Sequence, residues 1–275
     1  MTALAEKTRQ TREPQSATAT RAPGLGAALH AEWLKLTTVR STWWTLIALV
    51  VVGAGLTILL GAMNAEWLAS PGADEAPAAF ITWGMMLAPA AAVVLGALVV
   101  TSEYGSGMIR SSFAAVPSRG RVMLAKSILV ATLLFVVGTA TAFLGYFGTN
   151  PFFEAEGIGL PLEGDVLRAM YGSGLYLAGL GVLAVAVGFL VRHTAAAVSI
   201  LLGTLFVVGP MVLLVPGAVG DWIVKLMPNN TGGGVAAAVS FNPNLLDPWT
   251  GYAIFLAEVA AVVAAAAWTL RHRDA

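Results

Sequence analysis

Ser102 to Lys126, SEYGSGMIRSSFAAVPSRGRVMLAK, separates two long apolar runs and carries four of the chain's fifteen basic residues, Arg110, Arg119, Arg121 and Lys126. A connector between two membrane spans needs only a few polar residues; this one is longer and patterned. Ile109, Phe113 and Val116 recur at i, i+4 and i+7, the spacing of one helical face. Gly105 and Gly107 loosen the chain before that segment, and Pro117-Ser118 close it before the next apolar run begins. Two readings are open at this point: a solvated loop held at the headgroups by its arginines, or a docking surface for a soluble partner.

Working outward, the 275 residues are 57% hydrophobic and 11% charged, where a soluble domain carries roughly twice that charged fraction. With a mean hydropathy of +0.79 this is the composition of an integral membrane protein. The absence of cysteine excludes disulfides, thiol catalysis and cysteine metal sites. His30, His193 and His272 are far apart beside span boundaries, so no metal site is expected.

Residues 1–24, rich in Thr, Ala, Arg, Gln and Pro, read as a disordered tail. They do not open a signal peptide, since the first apolar run starts beyond residue 42 and is too long for one. From residue 25 to 41 the pattern is an amphipathic helix in the membrane interface, with Leu25, Leu29, Trp33, Leu36 and Val39 on one arc. Glu32 interrupts that arc, facing either Lys35 three residues on or a protein partner. Residues 42–275 form a six-span domain with apolar runs at Trp43–Met63, Phe80–Thr101, Ser127–Gly148, Ala169–Val191, Thr194–Val215 and Thr250–Leu270. At about 1.5 Å per residue each run crosses a hydrocarbon layer about 30 Å thick. Backbone groups in lipid must pair within their own segment, so the runs are helices and the fold is all-α.

Lysine and arginine fall on one side of these runs. Six precede the first, four lie in 102–126, Arg192 follows the fourth, and Arg271 and Arg273 follow the sixth; only Arg168 and Lys225 fall opposite. Nine acidic residues, among them Glu66, Asp74, Glu75 and Asp221, share the side of Arg168 and Lys225. The positive-inside rule puts both termini and the 102–126 connector in the cytoplasm.

Pro89 in the second run and Pro210 in the fifth are expected to bend their helices. Gly174, Ala178, Gly181, Ala184 and Gly188 give the fourth run a close helix-packing face. In the long connector 216–249, Asp221–Met227 suits a short helix and 235–241 is apolar enough to dip into the membrane; a surface loop is the alternative. Asn229-Asn230-Thr231 matches a glycosylation acceptor by a motif too short to carry weight. Two carboxylates touch the apolar runs. Glu258, eight residues inside the sixth, is costly in lipid and should face the bundle or a wet cavity as a substrate or proton site. Glu103, at the mouth of the second, can pair with Arg110, with a partner's cation, or stay solvated.

The chain contains no Walker A pattern, no G-x-S-x-G elbow and no H-E-x-x-H. It is not expected to be an enzyme. A proton-coupled carrier would show several intramembrane ionisable residues and an internal repeat; here there is one such residue and no convincing repeat. The chain most simply borrows energy from a separate ATPase docked on its cytoplasmic side, which favours the docking reading of 102–126.

AEWLKLTTVRSTWW entering the first run, the 102–126 motif, the Pro-rich stretch from Pro228 to Trp249 and the terminal LRHRDA together resemble the membrane permease subunit of bacterial type-2 ABC transporters, the exporter-like class. The likeness covers nearly all of the chain beyond residue 25. It implies a multi-pass protein of the bacterial inner membrane, dimeric with a second permease copy or paralogue and carrying two ATPase subunits. These would extrude a substrate, which the apolar lining of the spans suggests is small and lipophilic; nucleic acid is not among the partners. No cofactor or metal is expected in this chain, with ATP and Mg held by the ATPase. By the same likeness Glu32, Trp33 and Lys35 belong to the interface helix. Glu103, Gly105, Gly107, Ile109, Arg110, Phe113, Val116, Pro117 and Arg119 belong to the element coupled to the ATPase. Glu258 has no counterpart in that pattern and stays a possible substrate-pathway residue. A secondary carrier using Glu258, or a membrane scaffold or sensor without transport, are the competing readings.

Overall fold

A computed structural model describes residues 24–116, 118–240, 242 and 244–272. The N-terminal tail, Pro117, Phe241 and Arg273 lie outside the described residues. Among the described residues the fold is all-helical, with six helices long and apolar enough to cross a membrane: Arg40–Ala69, Trp83–Ser106, Arg119–Ala155, Gly164–Val191, Thr194–Val212 and Pro248–His272.

The first helix, α1 (Leu25–Thr38), stops at Val39, whose backbone is extended. The cause is local. Thr37 and Thr38 turn their hydroxyls back onto the carbonyls of Trp33, Leu34 and Lys35, and the Trp43 indole donates to the Thr37 carbonyl at 2.9 Å. The resulting elbow aims α2 (Arg40–Ala69) into the membrane. At about 1.5 Å per residue its 30 residues exceed the hydrocarbon layer by about 15 Å, so its ends project beyond it.

Before the second span come the one-turn helix α3 (Pro77–Phe80) and a 3-10 turn, Trp83–Met86. The span's main helix is α4 (Ala88–Ser106), and Pro89 sits in its first turn. Pro89 thus marks the change of winding within the second span, where α4 starts, and a proline there gives up an N–H that had no partner within the helix. Gly107, at φ 74°, ends α4 and redirects the chain into the short α5 (Met108–Ala115). A residue with a Cβ would be strained at that turn. Gly105, in contrast, lies exposed within α4.

The third span is α6 (Arg119–Ala155), longer than its apolar run at both ends and containing Pro151. The fourth, α7 (Gly164–Val191), is the bundle's centre, packed against α4, α6 and α12. Its small residues permit this. A Cβ on Gly181 would meet Val130 and Leu134 of α6, while Gly96 of α4 rests against the Gly181 carbonyl from the other side.

The fifth span starts as α8 (Thr194–Leu202), widens to a π-helical stretch at Gly203–Val208, and resumes as α9 (Gly209–Val212). Pro210 has no N–H for the carbonyl four residues back, and the wider winding before it accommodates that loss. The segment after it forms α10 (Gly217–Lys225) and α11 (Pro228–Gly233), and α12 (Pro248–His272) is the sixth span.

Trp44, Met63, Val136, Phe147 and Leu214 are large apolar residues exposed on the outside, as expected where the surrounding solvent is lipid. One core runs between α2, α4, α6, α7 and α12. A second lies at the acidic end around Phe80, Tyr146, Phe153 and Met170, and a third at the basic end around Ala28, Val116, Val122 and Ala125.

Candidate functional site

At the basic end, four charged side chains from three helices meet. Lys126 on α6 is 1% exposed, yet its ammonium uses all three donors: Glu32 Oε2 at 2.6 Å, Glu103 Oε1 at 2.7 Å and the Val99 carbonyl at 3.0 Å. Lys35 on α1 also uses three, reaching Glu32 Oε1 at 2.7 Å, Glu103 Oε1 at 2.8 Å and Ser112 Oγ at 2.9 Å. Ser112 on α5 returns its proton to Glu103 Oε2 at 3.1 Å. Each ammonium thus bridges the same two carboxylates, and the group of four is formally neutral. Burying any one of them alone would be costly; together they satisfy one another. Burial disfavours the Lys35 ammonium, but its hydrogen bonds to Glu103 and Glu32 outweigh this and hold its pKa above the ordinary lysine value.

This arrangement corrects three expectations. Glu103 pairs with Lys35 and Lys126, while Arg110 is exposed. The protein-facing side of α1 is Leu25, Ala28, Leu29, Glu32 and Leu36, with Trp33 and Val39 turned outward. Glu32 does not interrupt an apolar face; it is that face's anchor. Ile109 and Val116 are buried and Phe113 is half-buried against both neighbouring cores, so the apolar ridge of α5 points into the bundle rather than to the cytosol.

Further contacts tie the same end together. The Arg119 guanidinium lies over the Phe113 ring and donates to the Leu270 carbonyl at 3.1 Å, joining α6 to the last turn of α12. Arg192 lies over the Tyr104 ring, and Thr194 donates to the Thr101 hydroxyl at 2.7 Å. The short helix α5 is therefore fastened to α1, α4 and α6 at once. Its exposed side shows Met108, Arg110, Ser111, Ala114 and Ala115.

Glu258 lies far from this group. It is half-buried on α12 and 3.3 Å from the hydroxyl of Thr231, which is fully buried on α11. Gly232 sits on the Tyr176 and Phe255 rings, and Tyr176 donates to Asn229 at 3.2 Å. Tyr176 is twelve residues into α7, about 18 Å along it, so α11 descends between α7 and α12. The inserted part is thus residues 228–236, ahead of the expected 235–241. Thr231 belongs to packing, not to an exposed glycosylation motif. Arg168, paired with Asp165, fixes the return by donating to the Ala237 carbonyl at 2.8 Å.

Ser112, Lys126 and Thr231 are site residues that sequence reasoning missed. Lys126 was legible in principle: it stands in VMLAKSILV, a cation between apolar residues, as Glu32 is an anion on an apolar arc. Compared with models of protein families and with curated proteins, the chain matches none.

Proposed function

We propose that this multi-pass helical membrane protein is the membrane-spanning subunit of an ATP-driven exporter. Its basic end would face the cytoplasm and receive a separate ATPase on α5. The observation that carries this reading is the fastening of α5: through Ser112 and the charged quartet, a force on this eight-residue helix reaches α1, α4 and α6 together. The chain's resemblance to type-2 ABC permeases gives the same assignment.

The docking face in this reading is Met108, Arg110, Ser111 and Ala114, while Ile109, Phe113 and Val116 hold α5 to the bundle. The ATPase would bring ATP and Mg, and a second permease copy would complete the pathway for a small lipophilic substrate. The test is co-purification of the ATPase from the native membrane. Arg110→Glu should cut its recovery about tenfold by charge reversal at an exposed contact. Glu103→Gln/Lys126→Met should keep the ATPase bound but uncouple hydrolysis from export. Full recovery and full export with both variants would defeat the proposal.

The contact between Glu258 and Thr231 beside an inserted helix favours a second reading, a proton-linked carrier. Export that survives ATP depletion and stops when the proton gradient collapses would select it.

A further inference from the structure

The acidic end contains a cavity that neither the quartet nor α11 uses. It is about 450 Å³, within the roughly 300–1,000 Å³ typical of small-molecule sites. Its lining is Asn64 and Trp67 from the end of α2, Glu75 from the following loop, Phe80 of α3 and Trp83 of the 3-10 turn. The rings stand at steep angles to one another: Phe80 to Trp83 at 61° with centroids 4.6 Å apart, and Trp67 to Phe80 at 66° and 6.4 Å. Rings so disposed present faces and edges as adjacent walls of a box.

The walls are fixed. Phe80 is 4% exposed within the second core, and Trp83 packs against that core. The Gly84 N–H donates to the buried Thr57 hydroxyl of α2 at 3.1 Å, and Gly84 lies so close to the Gly53 carbonyl that no side chain would fit there. Tryptophans are enriched in belts at membrane boundaries. Here two of them share one cavity with a buried phenylalanine and a carboxylate.

Charge selects the occupant. Glu75 is half-buried and makes no hydrogen bond or ion pair with any described residue. No lysine or arginine occurs between Arg40 and Arg110, while Glu66 near the end of α2 and Asp74 beside Glu75 are further acidic residues of this stretch. An aromatic box with one uncompensated carboxylate attracts a weakly hydrated organic cation, through the ring quadrupoles and the anion together. We infer that this cavity is a binding site for an alkylammonium group, carried either by a free organic cation or by the headgroup of an ammonium lipid. The site stands apart from the quartet and does not depend on how the chain is energised.

The test uses the purified full chain in a sugar detergent, with radiolabelled choline as probe. Saturable binding is expected, with dimethylbutanol, the neutral carbon isostere of choline, failing to compete. Trp83→Leu should weaken choline binding about tenfold and Glu75→Gln about fivefold. Glu75 has no partner to lose, so the second variant keeps its elution profile and remains informative if the first does not fold. Repeating the measurement in nanodiscs separates the two sources. Choline bound in both phosphatidylglycerol and phosphatidylcholine discs identifies a free cation, whereas loss in the latter alone identifies the lipid headgroup. Absence of saturable choline binding, equal competition by the neutral isostere, or full affinity in Glu75→Gln would overturn the inference.

Discussion

The two ends of the bundle are closed by different chemistry. At the basic end, Glu32, Glu103 and Lys126 are buried in mutual contact with the half-buried Lys35, and Lys126 is at 1% exposure. At the acidic end, an inserted helix is held by a hydroxyl–carboxyl contact, a tyrosine–asparagine bond and aromatic packing. Buried ion clusters tolerate little rearrangement, because every displaced charge loses its only partners. Contacts such as Thr231 to Glu258 exchange at small cost, each being worth about 1 kcal/mol. The comparison assigns tight constraint to the shared end of α1, α4 and α6 and easier exchange to the inserted segment 228–236 alone.

Breaking the quartet should have the largest effect. Lys126→Met leaves two carboxylates to share Lys35 and should cost about 3–5 kcal/mol of stability, read as a large fall in melting temperature in detergent. Glu103→Gln/Lys126→Met should recover part of that loss, because the remaining pair, Glu32 and Lys35, is neutral. If the double variant is as unstable as the single one, charge balance is not what holds this end.

The six spans were legible in the sequence because runs of about 20 apolar residues have few other fates. The quartet was not, because Lys126 and Glu32 are 94 residues apart and meet only when α1 folds back onto α6. The connector teaches a narrower lesson. Ile109 and Phe113 do lie one turn apart on α5, as their spacing implied, but Val116 is the extended residue that ends the helix, and periodicity says neither where a helix stops nor what its face meets. In a chain whose bundle, lipid and partner surfaces are all apolar, the direction is decided by tertiary packing. Pro89 is a related case: its effect depends on where the helix starts, and the 3-10 turn before it carried no sequence signal.

Alkaline pH should separate the two ends next. The folded chain holds the Lys35 proton more tightly than the unfolded chain does. That contribution to stability is complete below the unfolded value, about 10.4, and is lost as pH rises through the higher folded value. Hydrogen exchange should show α1 and α5 loosening first above that point, with 228–236 unchanged. Simultaneous loosening of both ends would erase the contrast.

A smaller effect is expected at the acidic end. Thr231→Val keeps the side chain's shape and removes its hydrogen bond, costing about 1 kcal/mol. Its signature should be faster exchange in 228–236 at nearly normal melting temperature. Smallest of all is Glu258→Gln, whose amide retains the contact with Thr231 and should leave folding and transport close to wild type. A loss of transport at normal expression would instead give Glu258 a proton to carry.

The bond from Arg119 to the Leu270 carbonyl spans 151 residues and orders events on the ribosome. All four quartet members are present once residue 126 has been made, so the first three spans can lock their shared end while the rest of the chain is still being translated. The Arg119 clasp must wait for the final span to enter the bilayer. A chain truncated before α12 would carry a finished quartet without the Arg119–Leu270 clasp that ties the last span to it.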